Sequence, residues 1–346
     1  MKPWILGAAA ATVLAVGCQK PAVNTAPGGK EQLKVGIVLD KGGVNDQSFN
    51  ASAWRGAQRA EKELGVDANY AESQQDSDYA RNLRAYAKQG YDVLFAIGYP
   101  EQDAYNLVSG EYPETKFVIV DGASAPTPNA AGVTFREEEG TFLAGALAAQ
   151  MSKTGTIGFI GGMHSPVITR FESGYKAGAK MARPDIKVLT QYTGSWDDSG
   201  KGQSMAQMQF SQGADIIFHA AGKCGLGVIN AVKGQPDGAY VIGVDSDQDH
   251  IVQGKVLTSM IKNVDNTVFD FTKRVQAGEF QPGDRSYGLK EGGVGLSEMK
   301  YTKDKVPAEM MAKVNAFKDR IISGEINPPG TAAELAGFYR KHGLTP

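Results

Sequence analysis

Cysteine is nearly absent: the 346 residues contain two, Cys18 and Cys224. They are far apart in unlike surroundings and give no disulfide framework. With only four histidines they cannot build a Cys/His zinc centre of the usual kind. Positive charge is not in excess either. The formal net charge is −2, so the electrostatic footprint of a nucleic-acid binder is missing and no nucleic acid is expected as partner. No Gly-x-Ser-x-Gly elbow presents a hydrolase nucleophile. The run Gly222-Lys223-Cys224-Gly225-Leu226-Gly227 lacks the Walker spacing and the Ser or Thr after Lys. It reads as backbone wrapped near a ligand or as a plain tight turn. Asp245-Ser246-Asp247-Gln248-Asp249 alternates like a calcium loop, but His250 and Val256 stand where that loop needs Gly and Glu. No metal, cofactor or catalysis is expected.

What is present begins with an address. Lys2 precedes an apolar run from Trp4 to Val16, and Gly17 precedes Cys18, the order of a secretory signal. The run is too short and Ala-rich for a lasting membrane span. Leu14-Ala15-Val16-Gly17-Cys18 is similar to a bacterial lipobox, with Ala15 where Leu is usual. The expectation is a signal over residues 1–17, lipidation at Cys18, and a tether over 18–32 that is rich in small and polar residues and carries Pro21, Pro27, Gly28 and Gly29. Such a protein would sit on the bilayer through its lipid, facing the periplasm or the exterior.

After the tether, strand and helix patterns alternate. Leu33–Leu39 reads as a buried parallel strand and Asn50–Leu64 as a helix closed by Gly65. Strands follow at Ala68–Ala71, Asp92–Ile97, Phe117–Val120 and Gly132–Phe135, with a helix at Tyr79–Gln89. The pattern restarts with a helix at Glu137–Met151, a strand at Thr156–Ile160 and a helix at Ile168–Met181. Strands at Lys187–Tyr192, Asp215–His219, Tyr240–Val244 and Val256–Ile261 follow, with helices at Gly200–Gln212, Gly225–Val232, Val264–Ala277 and Pro307–Ser323. Alternation on this scale predicts α/β architecture: two Rossmann-like lobes with parallel sheets and a hinge. Residues 33–134 and 257–288 are expected to form the N-terminal lobe, 135–256 and 289–328 the C-terminal lobe, and 329–346 a tail. Ligands of open parallel sheets sit beyond the carboxyl ends of the strands, so the gap between facing lobes is the natural site.

Several strands run into aspartate there: Asp40, Asp121 and Asp245. Carboxylates accept two or more hydrogen bonds each, which suits the adjacent hydroxyls of a sugar; a charge-assisted bond contributes about 1.5–3 kcal/mol. Capping of the following helix is the competing use of each aspartate. In the loop Asp40–Asn50, Gly42 and Gly43 allow close approach, and Asn45 and Asp46 offer donors and acceptors to a heterocycle edge. Phe49 is either a helix-start core residue or a stacking plate for a planar ring, where a stack contributes about 1–3 kcal/mol. Phe218 and Phe171 carry the same two readings. Gly222 sits where backbone meets ligand. Lys262, at a strand end, either donates to ligand hydroxyls or is simply solvated.

These segments together resemble the basic membrane protein lipoproteins, and among them the purine nucleoside receptors of spirochaetes and other bacteria. The resemblance runs from about Leu33 to Pro328. It rests on Asp40 with Asn45-Asp46-Gln47-Ser48-Phe49-Asn50, on Gly161-Gly162-Met163 and Arg170-Phe171-Glu172-Ser173-Gly174-Tyr175, on Phe218-His219-Ala220-Ala221-Gly222, on Val244-Asp245-Ser246-Asp247-Gln248 and on Thr258-Ser259-Met260-Ile261-Lys262. It implies a type I periplasmic-binding-protein fold, a monomer serving an ABC importer permease, and a purine nucleoside (guanosine, inosine or adenosine) as ligand. It implies a base between Phe49 and Phe218, base-edge contacts from Asn45, Asp46 and Asp121, ribose contacts from Asp245 and Lys262, and Asp40 facing the ligand. Lys223-Cys224 departs from the small residues usual after Ala-Ala-Gly, and Tyr99 and Pro100 bear on selectivity. Two rival functions stand beside this one. The first is a receptor for a sugar or another small metabolite. The second is a nucleoside hydrolase, for which the Asp40–Asp46 loop has too few aspartates.

Overall fold

The computed structural model describes Met1 and residues 32–345; Cys18, the expected signal beyond Met1 and nearly all of the expected tether lie outside the described residues. The first lobe opens with β1 (Lys34–Leu39), α1 (Phe49–Leu64), β2 (Asp67–Glu72), α2 (Asp76–Lys88), β3 (Val93–Ile97), α3 (Gln102–Glu111), β4 (Lys116–Val120) and β5 (Ala130–Phe135). The second is built from α4 (Glu137–Met151), β6 (Thr156–Gly161), α5 (Pro166–Ala182), β7 (Lys187–Tyr192), α6 (Ser199–Ser211), β8 (Ile216–Ala220), α7 (Cys224–Ala231), β9 (Tyr240–Asp245) and β10 (Val256–Lys262). The chain returns to the first lobe as α8 (Val264–Gln276) and β11 (Gly283–Tyr287). It then goes back to the second as β12 (Val294–Leu296), α9 (Ala308–Ile322) and α10 (Ala332–His342).

Each lobe holds a six-stranded sheet, ordered β2-β1-β3-β4-β5-β11 in one and β7-β6-β8-β9-β10-β12 in the other. The two orders match position for position. All pairings are parallel except β12 against β10, which is antiparallel. Strands such as β3 (VLFAI) are buried at every residue because helices cover both faces, so they read as continuous apolar runs rather than alternating ones. α4 is buried along nearly its whole length, the mark of a helix covered on all sides. It is closed against α5 by glycines: a Cβ on Gly145 would lie 2.0 Å from the Tyr175 carbonyl oxygen, and one on Gly178 1.9 Å from that of Phe142.

The structure corrects two boundaries. β10 pairs with β9 and β12 in the second sheet, so the return to the first lobe follows Lys262 rather than beginning at Leu257. The reading of 329–346 as a tail fails as well. Thr331 and Glu334 form a capping box that starts α10, and Phe338 meets Phe142 edge-on at 6.1 Å in the second lobe. α10 buries only Phe338 and Tyr339, too few residues for a periodic apolar pattern. α3, β11 and β12 were also unseen in the sequence; β11 (GDRSY) is a polar edge strand.

Candidate functional site

The carboxyl ends of the two sheets face each other across a cleft enclosing about 570 Å³, part of it open to solvent. Of the expected site residues, Asp40, Asp46, Phe49, Asp121, Phe171, Gly222, Asp245 and Lys262 line it. Tyr99, Pro100 and Trp196 join them.

The loop after β1 is tied down by its own polar groups. Asp40 Oδ1 accepts from Gly42 N at 2.9 Å and from Asn50 Nδ2 at 2.6 Å. Asp46 accepts from the backbone N–H groups of Ser48, Asn50 and Ala51 at 2.9, 2.9 and 3.0 Å. That makes it the carboxylate anchor for the backbone donors at the start of α1 that have no partner within the helix. The expected base-edge role of Asp46 is therefore in competition with capping, for both of its oxygens are already engaged. Burial pushes its carboxyl up to about 7 against the pull of those three donors, and burial likewise raises Asp40.

Asp121 follows β4 and Asp245 ends β9. Both have positive φ, 64° and 61°, a conformation unfavourable to non-glycine residues that concentrates at functional sites. Asp121 Oδ2 accepts from Lys262 Nζ at 2.6 Å. The same ammonium pairs with Glu137 at 2.8 Å and lies 5.0, 5.1 and 5.5 Å from the ring centres of Phe49, Phe135 and Phe171. Burial disfavours its charge, but Asp121, Glu137 and Asp245 together raise its pKa above the ordinary lysine value. The solvated alternative for Lys262 is thus excluded: it is 1% exposed. Asp245 accepts from the Ser48 hydroxyl of the opposite lobe, and burial pushes its carboxyl up to about 6. Ser246 Oγ to Ser48 O at 3.1 Å and Gln248 Nε2 to Gln47 O at 3.0 Å add further contacts between the lobes.

Two expected residues do not reach the cleft. Phe218 is fully buried among Phe159, Phe171 and Tyr175, at ring distances of 5.7, 6.3 and 5.2 Å. It is core, supporting Phe171 from behind. Asn45 is exposed and lies outside the lining, since the turn that brings Asp46 inward leaves its neighbour outward. Trp196, in the loop between β7 and α6, was missed. It has room because Gly162 carries no side chain: a Cβ there would lie 2.3 Å from the indole. Its buried Nε1 has no hydrogen-bond partner among the described residues. A lone large aromatic within the polar Gly194-Ser195-Trp196-Asp197-Asp198 was the available signal.

Residues 33–332 match the family described as ABC transporter substrate-binding protein PnrA-like. The chain belongs to this family. It is 40% identical over 343 residues to the ABC transporter nucleoside-binding protein BmpA of Lactococcus lactis, spanning 93% of this chain and 96% of that one. It is 38% identical over 313 residues to basic membrane protein A1 of Borrelia garinii, spanning 89% and 91%. Among solved structures, an ABC transporter solute-binding protein of Aeropyrum pernix superposes with a TM-score of 0.82 at 30% identity, covering 89% of this chain and 97% of that one. The chain accordingly belongs to a family of ABC transporter substrate-binding proteins rather than of enzymes, and the cleft is its candidate ligand site. Among the described residues no helix is long and apolar enough to cross a membrane.

Proposed function

We propose that the cleft binds a purine nucleoside and hands it to an ABC importer. The observation carrying this reading is the composition of the walls: aromatic rings of Phe49, Tyr99, Phe171 and Trp196 beside the carboxylates of Asp40, Asp121 and Asp245 and the one lysine. Flat apolar faces suit a heterobicyclic base, while acceptors at strand ends suit ribose hydroxyls. The printed name of the Lactococcus relative, nucleoside-binding, supports the same class. Among the lining residues four aspartates face one lysine, and Lys262 is already paired, so a nucleotide's phosphate would meet net negative charge. Nucleosides are favoured over their phosphates. Base stacking then falls to Phe49 with Phe171 or Trp196, ribose contacts to Asp245 and Lys262, and the protein acts as a monomer. Lipidation at Cys18 belongs to the proposal, supported by the signal-like segment ahead of it. Cys18→Ala should then release the protein from membranes.

The test strips bound ligand by unfolding and refolding, then follows thermal unfolding with guanosine, inosine, adenosine, free ribose and the nucleoside monophosphates. At a hundredfold excess over Kd, a specific nucleoside stabilises by about 2.7 kcal/mol and raises Tm by about 5 °C. Flat curves for every nucleoside with a folded protein would falsify the proposal. A response to ribose equal to that of a nucleoside would favour a sugar receptor instead.

A further inference from the structure

The cleft's lysine is held from behind by a residue that does not line the cleft. Glu137 is fully buried at the start of α4 and absent from the lining. One of its oxygens pairs with Lys262 Nζ at 2.8 Å; the other accepts from Arg170 Nε on α5. Arg170 is itself covered on its stem, for a Cβ on Gly330 would lie 3.3 Å from its Cγ. A row of alternating charge, Asp121–Lys262–Glu137–Arg170, thus runs from the cleft wall to the outer side of the second lobe. Glu137 lies two residues past β5 and Lys262 ends β10, so their pair ties together two of the three connections by which the chain crosses between lobes.

An ammonium has three protons. Asp121 accepts one of them, the Glu137 carboxylate draws the nitrogen as an ion pair at 2.8 Å, and the cleft that Lys262 lines is left for another. Buried among three phenyl rings, the ammonium takes its direction chiefly from fixed countercharges. Burial would push the Glu137 carboxyl up, but Lys262 and Arg170 override it and hold it below the ordinary glutamate value. Both Glu137 and Lys262 therefore stay charged at neutral pH. Removing the Glu137 charge would leave the ammonium to turn onto Asp121 and Asp245 and withdraw from the ligand.

We infer that Glu137 and Arg170 are positioning residues: without touching ligand, they aim one N–H of Lys262 at the hydroxyl-bearing part of the bound molecule and so set discrimination for a hydroxylated sugar. The sugar rests on the nucleoside reading above; the positioning of Lys262 does not. The experiment compares the wild-type protein with Glu137→Gln, Glu137→Asp and Arg170→Gln, and with Arg84→Gln as a surface control taken from the exposed Arg84–Glu111 pair. Calorimetry measures guanosine against 2′,3′-dideoxyguanosine, and NMR follows the Cε and Nζ signals of Lys262 in ligand-free protein through a pH titration. The groups facing Lys262 in that titration are Asp121, Glu137 and Asp245, with Arg170 behind Glu137.

Expected for Glu137→Gln is a fall of about tenfold in the preference for guanosine, little change for the dideoxy analogue, and a lower titration point for Lys262. Glu137→Asp should restore part of the preference, and the control should match wild type. A loss equal for both nucleosides overturns the inference, as does an unchanged preference. If the wild-type protein binds no nucleoside, the nucleoside reading falls and the titration alone decides: a lowered Lys262 point in Glu137→Gln supports the positioning role and an unmoved one overturns it. Should Glu137→Gln not fold, Arg170→Gln carries the same two readouts.

Discussion

Asp121 and Asp245 hold equivalent places, since β4 and β9 are fourth in sheets of matching order counted from β2 and β7. Both have left-handed backbone, and both are met across the cleft by a residue of the opposite lobe. The difference lies in what meets them. Asp121 faces a buried ammonium, whereas Asp245 faces the hydroxyl of Ser48. The cation after β5, Arg136, gives no mirror image of Lys262, for it is taken up by Glu139 and Glu291. Repeating a fold therefore repeats the place of a carboxylate but not its charge balance, which depends on the residue opposite.

The largest expected effect breaks that asymmetry at its charged end. Asp121→Asn should lower stability by about 3 kcal/mol, because it removes one partner of a buried ion pair. Asp245→Asn should cost under about 1 kcal/mol, because the amide oxygen still accepts from Ser48. Urea unfolding of the two variants measures both, and equal losses would erase the distinction drawn above.

Next comes pH. The Asp245 carboxyl is raised by burial from 3.8 to about 6. It contributes stability that is fully present below about 3.8 and lost as pH rises through about 6. His219, fully buried on β8, is lowered by burial from 6.5 to about 4. Its contribution is fully present above about 6.5 and lost as pH falls through about 4. Relative to wild type, Asp245→Asn should therefore lose most at low pH, while His219→Gln should gain ground as pH falls. Opposite slopes in stability between pH 4 and 6.5 are expected, and parallel slopes would contradict the assignment of these shifts to the two groups.

A smaller contrast than that between the two aspartates lies in two glycines at matching strand ends. Gly98 follows β3 with φ 120°, and Gly222 follows β8 with φ 53°. The first conformation is nearly closed to other residues, while the second is a left-handed turn that an L-residue enters at modest cost. Gly98→Ala should cost about 2 kcal/mol or more and Gly222→Ala about 1 kcal/mol, read from thermal unfolding.

Much of the cleft lining was legible because its residues sit where strands stop. Asp40, Asp121, Asp245 and Lys262 were identified from apolar runs that end in a charged residue, and Phe49 from its place at a helix start. Phe218 misled for a physical reason. In a strand buried on both faces, Phe218 and His219 point to opposite sides of the sheet with nothing in the apolar pattern to say which side meets the cleft. Trp196 went unseen because it belongs to a loop, where no periodicity operates. Asp46 carries both readings, capping and ligand contact, because a capping aspartate and a binding aspartate have the same local surroundings.

Short-range physics is written in the sequence: the alternation of strands and helices, the two-lobed α/β class, the carboxylates at strand ends and the glycines that turn the chain there. Which groups then face one another was decided only by the tertiary structure. The membership of β10 in the second sheet, the docking of α10, and the row Asp121–Lys262–Glu137–Arg170 all join residues far apart in the chain. Their pairing follows from the chain crossing between lobes three times, a long-range arrangement that no local pattern of side chains encodes.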